Sequence, residues 1–331
     1  MPTAFITGIT GQDGSFLAEQ LVEDGWEVAG LVRRSASRTL WRLHHIRDRI
    51  TLVDGDLLDQ GSLINALKEL QPIHVYNLAA QSFVATSWRQ PVLTAEVTAV
   101  GATRLLEAVR IAAPEARVYQ ASSSEMFGMS TEATQDENSP FHPRSPYGVA
   151  KVYAHHLAVN YRESHGMFVV SGILFNHESE RRSPEFVTRK ITMGVAAIRH
   201  GQQEKLKLGA MDVRRDWGFA GDYTRAMRLM LEQPNPRDFV IATGRSWSVR
   251  DFAERAFAAA GLRMEDHLVH DPGLLRPAEI RSLCGDASRA RSALGWSPEV
   301  GFDALVERMV AADLQRAGRG LGQEPVAGTC A

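Results

Sequence analysis

The sequence predicts an α/β protein with a doubly wound parallel sheet, followed by a smaller, mixed α/β C-terminal lobe. Three observations carry that reading. Short apolar runs alternate with amphipathic helical stretches as far as about residue 174, and strand–helix alternation at this spacing marks βαβ units. The first apolar run leads directly into a glycine-rich turn, Gly8-Ile9-Thr10-Gly11-Gln12-Asp13-Gly14. Beyond residue 175 the alternation gives way to shorter elements punctuated by Pro272, Pro277 and Pro298.

In chain order, the apolar runs predict strands at 4–7, 27–32, 50–53, 74–78, 117–121 and 168–175. The amphipathic stretches between them predict helices that include 15–23, 60–70, 99–112 and 147–164. Residues 176–186 are polar and read as a loop, followed by a helix to about 200. A strand at 205–208, a helix at 223–231, a strand at 239–243 and a helix at 249–260 come next. The expected division is a Rossmann-type domain over 1–175 and a second lobe over 176–316, some of whose segments return to the main sheet. A Gly-rich tail over 317–331 is expected to fray.

The 331 residues are 44% hydrophobic and 23% charged, enough apolar material for a sizeable core. A formal net charge of -2 offers no electrostatic case for nucleic acid or an anionic membrane. With a strand-like run starting at Thr3, no leader is expected, and no apolar stretch approaches the ~18 residues of a membrane span. Two cysteines, Cys284 and Cys330, exclude a disulfide framework and suit a reducing cytoplasm. The eleven histidines show no ligand spacing, and neighbours His155 and His156 point to different faces of a helix, so no metal site is expected.

The turn at Gly8, Gly11 and Gly14 sits between a strand and a helix, where glycines let the backbone approach a pyrophosphate. The helix behind it offers free N–H groups and a positive dipole end, with Thr10, Gln12 and Asp13 completing the turn. After the second strand come Arg33, Arg34 and Ser35, with no acid between Ala29 and Arg47. A carboxylate here would hold the ribose hydroxyls of NAD, whereas arginine suits the 2′-phosphate of NADP. A solvated basic loop is the alternative reading of the same residues, and NADP is favoured over NAD. Asp56 and Leu57 close the third strand, and Leu78, Ala80, Gln81 and Ser82 the fourth, at the carboxyl ends where such sheets bind ligands.

The strand at 117–121 leads into Ser122-Ser123-Ser124-Glu125, and Tyr147 and Lys151 follow four residues apart on one helix face. A free phenol, with a pKa of ~10, is a poor base at neutral pH, and a nearby ammonium favours its phenolate. Glu125 lies just past an apolar strand, where a carboxylate needs a reason. Beside a tyrosine base it supplies what elimination of water requires and simple alcohol oxidation does not. The bland alternative is a solvated surface glutamate.

The segments GITGQDGSFLAEQL, YNLAAQSFVATSW, YQASSSEMFG, PFHPRSPYGVAKVYAH, GILFNHESERR, RRDWGFAGDY and LRPAEI resemble the GDP-mannose 4,6-dehydratase family, over about residues 3–298. The resemblance implies a lyase with tightly held NADP and GDP-mannose or a close GDP-sugar as substrate. It implies that Tyr147 takes the O4 proton as hydride leaves C4. Lys151 lowers the tyrosine's pKa and binds the nicotinamide ribose, and Ser123, where many relatives carry threonine, bonds O4. Glu125 removes the C5 proton and helps expel the C6 hydroxyl as water, after which the hydride returns to C6. His177 and Arg182 complete the cofactor pocket. Asn176, Lys190, Arg215, Arg276 and Glu279 hold the nucleotide diphosphate and its ribose. Leu93 stands where relatives often have a tyrosine, so no role is carried onto it. Residues 35–45 resemble a segment that reaches a neighbouring subunit in tetrameric relatives, which implies a homodimer or homotetramer. A GDP-heptose 4,6-dehydratase would share nearly every motif. A sugar-nucleotide epimerase or reductase would not need Glu125, and a non-enzymatic NADP sensor would lack the Tyr–Lys pair.

Overall fold

The computed structural model describes residues 1–34, 39–274 and 279–319. Seven parallel strands form the central sheet: β1 (Thr3–Thr7), β2 (Glu27–Val32), β3 (Ile50–Asp54), β4 (His74–Asn77), β5 (Arg117–Ser123), β6 (Val169–Leu174) and, from much later in the chain, Phe239–Ile241. The order across the sheet is Phe239–Ile241, β6, β5, β4, β1, β2, β3. The chain therefore winds outward in one direction from β1 and in the other from β4. The crevice between their carboxyl ends is where ligands bind in sheets of this kind.

Alternation of side chains across the pleat explains the two faces. Ala4 and Ile6 of β1 join one apolar cluster, while Phe5 joins another on the opposite side. Helix Gln12–Glu23 packs against Ala220–Leu231 on the first face, and Gln60–Leu70 packs against Gly101–Ala112 on the second. With helices on both faces, the inner strands are buried along most of their length, and every residue of β4 and β6 is buried.

The later elements build a third apolar cluster around Ile191, Trp217, Phe252, Phe302 and Val306. Here β8 (Leu206–Leu208) pairs with Leu268–His270, and a separate sheet joins β7 (Asn176–Glu178), β9 (Arg214–Phe219) and Ser246–Ser248. Residues 176–186 are therefore not all loop, because Asn176–Glu178 pairs in parallel with β9 directly after the chain leaves β6. Strand β9, missed in the sequence, contains Arg215 and Asp216, charged residues that are almost fully buried through hydrogen bonds to distant backbone. The helix Phe302–Gly318 packs on Val187–Arg199 and Val249–Ala259 and takes in the first two residues of the expected tail.

Candidate active site

One cleft of ≈ 1420 Å³ opens at the carboxyl ends of the central strands. The backbone shapes its floor. Gly8 has φ +73°, and a Cβ there would lie 2.8 Å from the Ala79 nitrogen. A Cβ on Gly14 would lie 2.3 Å from the Gly8 carbonyl oxygen, so only glycine lets the turn fold against its own helix. Thr7 donates to Asn77 Oδ1 at 2.8 Å and Asn77 to Gln120 Oε1 at 2.8 Å, tying β1, β4 and β5 together beneath the turn. Helix Gln12–Glu23 has no side chain capping its N-terminus, which leaves its first N–H groups facing the cleft. This cradle of open N–H groups and excluded side chains fits a dinucleotide pyrophosphate.

Gly8, Thr10, Gly11, Gln12, Asp13 and Gly14 all line the cleft, as do Arg33, Asp56, Leu57, Leu78, Ala80, Gln81 and Ser82. Arg34 is exposed and does not line it, and Ser35 lies outside the described residues. Gln12 turns partly inward, donating to the His177 carbonyl at 3.1 Å and accepting from Ser179 Oγ at 2.8 Å. Residues 84–112 are one nearly continuous helical run with a wide turn over Ala95–Val100, and Thr98 in that turn accepts from the Gln81 N–H at 3.2 Å. Leu93, at the edge of this run, lines the cleft in spite of its departure from the tyrosine pattern.

Ser123, Glu125, Tyr147 and Lys151 all line the same cleft. Strand β5 delivers Ser123, whose hydroxyl accepts from the Glu125 N–H at 3.3 Å and caps a single helical turn. Helix Pro146–His165, capped by Ser145 Oγ on Gly148 N at 3.0 Å, presents Tyr147 and Lys151 on one face. Gly148 is required because a Cβ there would meet the Glu125 carbonyl at 2.8 Å. Lys151 is 4% exposed and donates to the Ala121 carbonyl at 2.7 Å. Burial lowers its ammonium to about 8, against the opposing pull of Asp13. The Tyr147 phenol is raised above its ordinary value by burial, while a Ser123 hydrogen bond pulls the other way. Lys151 is not among the groups that pull the phenol down in this structure. Its ammonium is aimed at a backbone carbonyl, 5.8 Å from the ring centre, and burial dominates.

The opposite wall comes from distant parts of the chain. Asn176, His177, Arg182, Lys190, Arg215 and Glu279 all line it, and Arg276 lies outside the described residues. Arg215 donates to the Ile280 carbonyl at 2.8 Å and to Glu279 Oε1 at 3.2 Å. Arg182 lies 3.1 Å from Glu178 Oε2 as an ion pair, without hydrogen-bond alignment, and stacks on Phe186 at 3.5 Å. Sequence reasoning passed over Glu178, Phe186, Thr188, Leu208 and Trp217 of this wall. Burial singles out all of them but the half-buried Phe186, as when Thr188 donates to the enclosed Glu178 carboxylate at 2.6 Å.

The GDP-mannose 4,6 dehydratase family model matches residues 5–309. The chain belongs to that family. GDP-mannose 4,6 dehydratase 1 of Arabidopsis thaliana is 51% identical, the alignment covering 96% of this chain and 91% of the relative. Two solved structures share the fold. DesIV of Streptomyces venezuelae, a dTDP-glucose 4,6-dehydratase with NAD bound, superposes with a TM-score of 0.86 at 24% identity, over 98% of this chain and 99% of its own. RMD of Pseudomonas aeruginosa with NADPH gives 0.80 at 24% identity, over 96% and 100%. This family membership favours a dehydratase over the epimerase and reductase readings. Among the described residues no helix is long and apolar enough to cross a membrane.

Proposed function

We propose that the chain is a hydro-lyase that converts GDP-mannose to GDP-4-keto-6-deoxymannose with NADP as cofactor. The observation that carries this reading is the meeting of Ser123, Glu125, Tyr147 and Lys151 beside the glycine cradle, in a chain of this family. The turn from Gly8 to Gly14 would hold the pyrophosphate, Asp56 and Leu57 the adenine, and Arg33, with Arg34 and Ser35 next in sequence, the 2′-phosphate. Leu78, Ala80, Gln81, Ser82, His177 and Arg182 would enclose the remainder. Asn176, Lys190, Arg215, Arg276 and Glu279 would receive the GDP moiety, where the cations suit a diphosphate. Bound there, NADP would supply reversible hydride acceptance, for a hydride taken up from C4 and given back at C6.

The protein's own groups divide the proton work. Tyr147 takes the proton from O4, with Ser123 bonded both to the phenol and, in this reading, to O4. A ketone at C4 acidifies the C5 hydrogen, and Glu125 removes it and then helps the C6 hydroxyl leave as water. Lys151 places a cation in a buried site, where it counts for more than in water. We further infer a cytoplasmic homodimer or homotetramer, from the family resemblance and a chain with two cysteines. Sedimentation velocity tests the assembly.

Product mass after incubation with GDP-mannose should fall by one water, with no added reductant. Tyr147→Phe should give neither reduced cofactor nor product. Glu125→Gln should let oxidation proceed and stall elimination, so that absorbance of bound reduced nicotinamide accumulates while turnover falls ~10²–10⁴-fold. A Glu125→Gln enzyme with near-normal turnover would refute the dehydratase mechanism.

A further inference from the structure

Both nitrogens of the His177 ring face acceptors. Nδ1 lies 2.7 Å from the Phe175 carbonyl oxygen, and Nε2 lies 2.8 Å from Asp13 Oδ2. A neutral imidazole has one N–H, so it could satisfy only one of these contacts, whereas an imidazolium satisfies both. The ring has no freedom to choose another arrangement, because it stacks on Tyr223 with centroids 4.7 Å apart and is 9% exposed. The partner carboxylate is equally committed, since its Oδ1 accepts from Gln12 Nε2 at 3.0 Å.

We propose that Asp13 is a positioning residue that fixes His177 as an imidazolium, and that this ion pair fastens the glycine-rich turn to the strand leaving the central sheet. Asp13 sits at the second position of the helix that opens behind the turn, and His177 is in β7, 164 residues later. The two Gln12 bonds to the His177 carbonyl and Ser179 Oγ run alongside the pair, so the junction is a double clasp. It spans the two walls of the cleft, and both charged residues line that cleft. The effect on cofactor binding rests on the cofactor reading above: the clasp presets the turn in the form that receives a pyrophosphate, so its loss weakens that binding.

The groups facing the pair agree with this assignment. Arg182 approaches from the loop after β7, opposing the charge on His177 and supporting that on Asp13, and Tyr223 contributes a phenol from helix Ala220–Leu231. Lys151, Tyr147 and Tyr119 lie in the field of Asp13 from the other side. Burial pushes the Asp13 carboxyl up, but the His177 charge and hydrogen bond outweigh it and bring it to about 2. Burial also works against the charged ring, yet Asp13 outweighs it and His177 is raised above its ordinary value. The stabilisation is therefore complete between the ordinary carboxylate and histidine ranges. It is lost as pH rises through the raised histidine value, or falls toward 2 through the depressed aspartate value.

Histidine-15N NMR of the full-length protein tests the ring directly, with no cofactor added and His177 assigned by its disappearance in His177→Gln. At about pH 7, just above the ordinary histidine value, the wild-type ring should still report two N–H groups, and Asp13→Asn should shift it toward the neutral form. NADP affinity by calorimetry should fall about ten- to hundredfold in Asp13→Asn, as for loss of a charge-assisted hydrogen bond. The double variant Asp13→Asn/His177→Gln should be no worse than the weaker single variant. A neutral wild-type ring at that pH, or losses that simply multiply, would overturn the inference. If Asp13→Asn fails to fold, the wild-type ring state still decides. Wild-type protein that binds neither NADP nor NAD would instead overturn the cofactor reading, and with it the affinity consequence alone.

Discussion

The two walls of the cleft are held by different physics. The wall formed by Gly8–Gly14, the ends of β3 to β5 and the start of helix Pro146–His165 is fixed by backbone sterics. Missing Cβ atoms at Gly8, Gly14 and Gly148 let main chain touch main chain. The opposite wall is fixed by buried charges that pair across long stretches of sequence: Arg189 with Asp313, Arg215 with Glu279, and Asp216 with the backbone of Thr243, Gly244 and Gly285. Excluded volume acts at short range and cannot be titrated. Buried ion pairs depend on both partners being present, and removing one leaves the other uncompensated. The first wall should therefore fail locally, through ligand affinity, and the second globally, through stability.

The largest expected effect tests the second wall. Arg189 is 1% exposed, donates from Nε to both Asp313 oxygens, and holds the carbonyls of Glu180 and Arg182 at 3.0 and 2.7 Å. Arg189→Met should cost about 3–5 kcal/mol in urea denaturation, toward the lower end because Thr192 and Arg316 still bond Asp313. Replacing both members, as Arg189→Met/Asp313→Leu, should recover part of that loss. A single variant within about 0.5 kcal/mol of wild type would show that this wall does not depend on its buried pair.

The same contrast explains what could be read from the sequence. The central strands and the four catalytic candidates were legible because each rests on local spacing: a glycine triplet behind a strand, a serine run at a strand end, and a tyrosine and lysine one helical turn apart. Strand β9 was not legible, because nothing local marks the charged run Arg214-Arg215-Asp216 as a strand until Ile280, Thr243 and Gly285 are folded against it. The strand Asn176–Glu178 was hidden for a similar reason: its polar residues pair with β9, about 40 residues onward. The return of Phe239–Ile241 to the main sheet was expected only in general terms. No local pattern names β6 as its neighbour.

A smaller effect tests the first wall. Gly14→Ala brings a Cβ to within 2.3 Å of the Gly8 oxygen and 2.6 Å of Ile9 Cα, both backbone atoms, so the turn itself must move. The expected cost is ~1–3 kcal/mol of strain, felt mainly as weaker NADP binding because the displaced atoms are those facing the pyrophosphate. Calorimetry and a melting curve on the same sample separate the two. A large fall in melting temperature with unchanged NADP affinity would reverse the division drawn between the walls.

The smallest effect concerns the rim of the first wall, where sterics end and charge begins. Arg33 lines the cleft directly after β2, whereas Arg34, also exposed, does not. If a guanidinium there meets the 2′-phosphate, the contact is charge-assisted but solvent-screened, worth roughly 1 kcal/mol or somewhat more. Arg33→Gln should then weaken NADP binding about five- to tenfold and leave NAD binding unchanged, since NAD lacks the phosphate. Arg34→Gln should weaken NADP by less than about twofold, and both differences should shrink as salt rises through the physiological range. Equal losses for NAD and NADP in Arg33→Gln would mean that the residue supports the turn and not the phosphate. Equal losses for NADP in the two variants would mean that a diffuse basic rim, with no single contact, sets the preference.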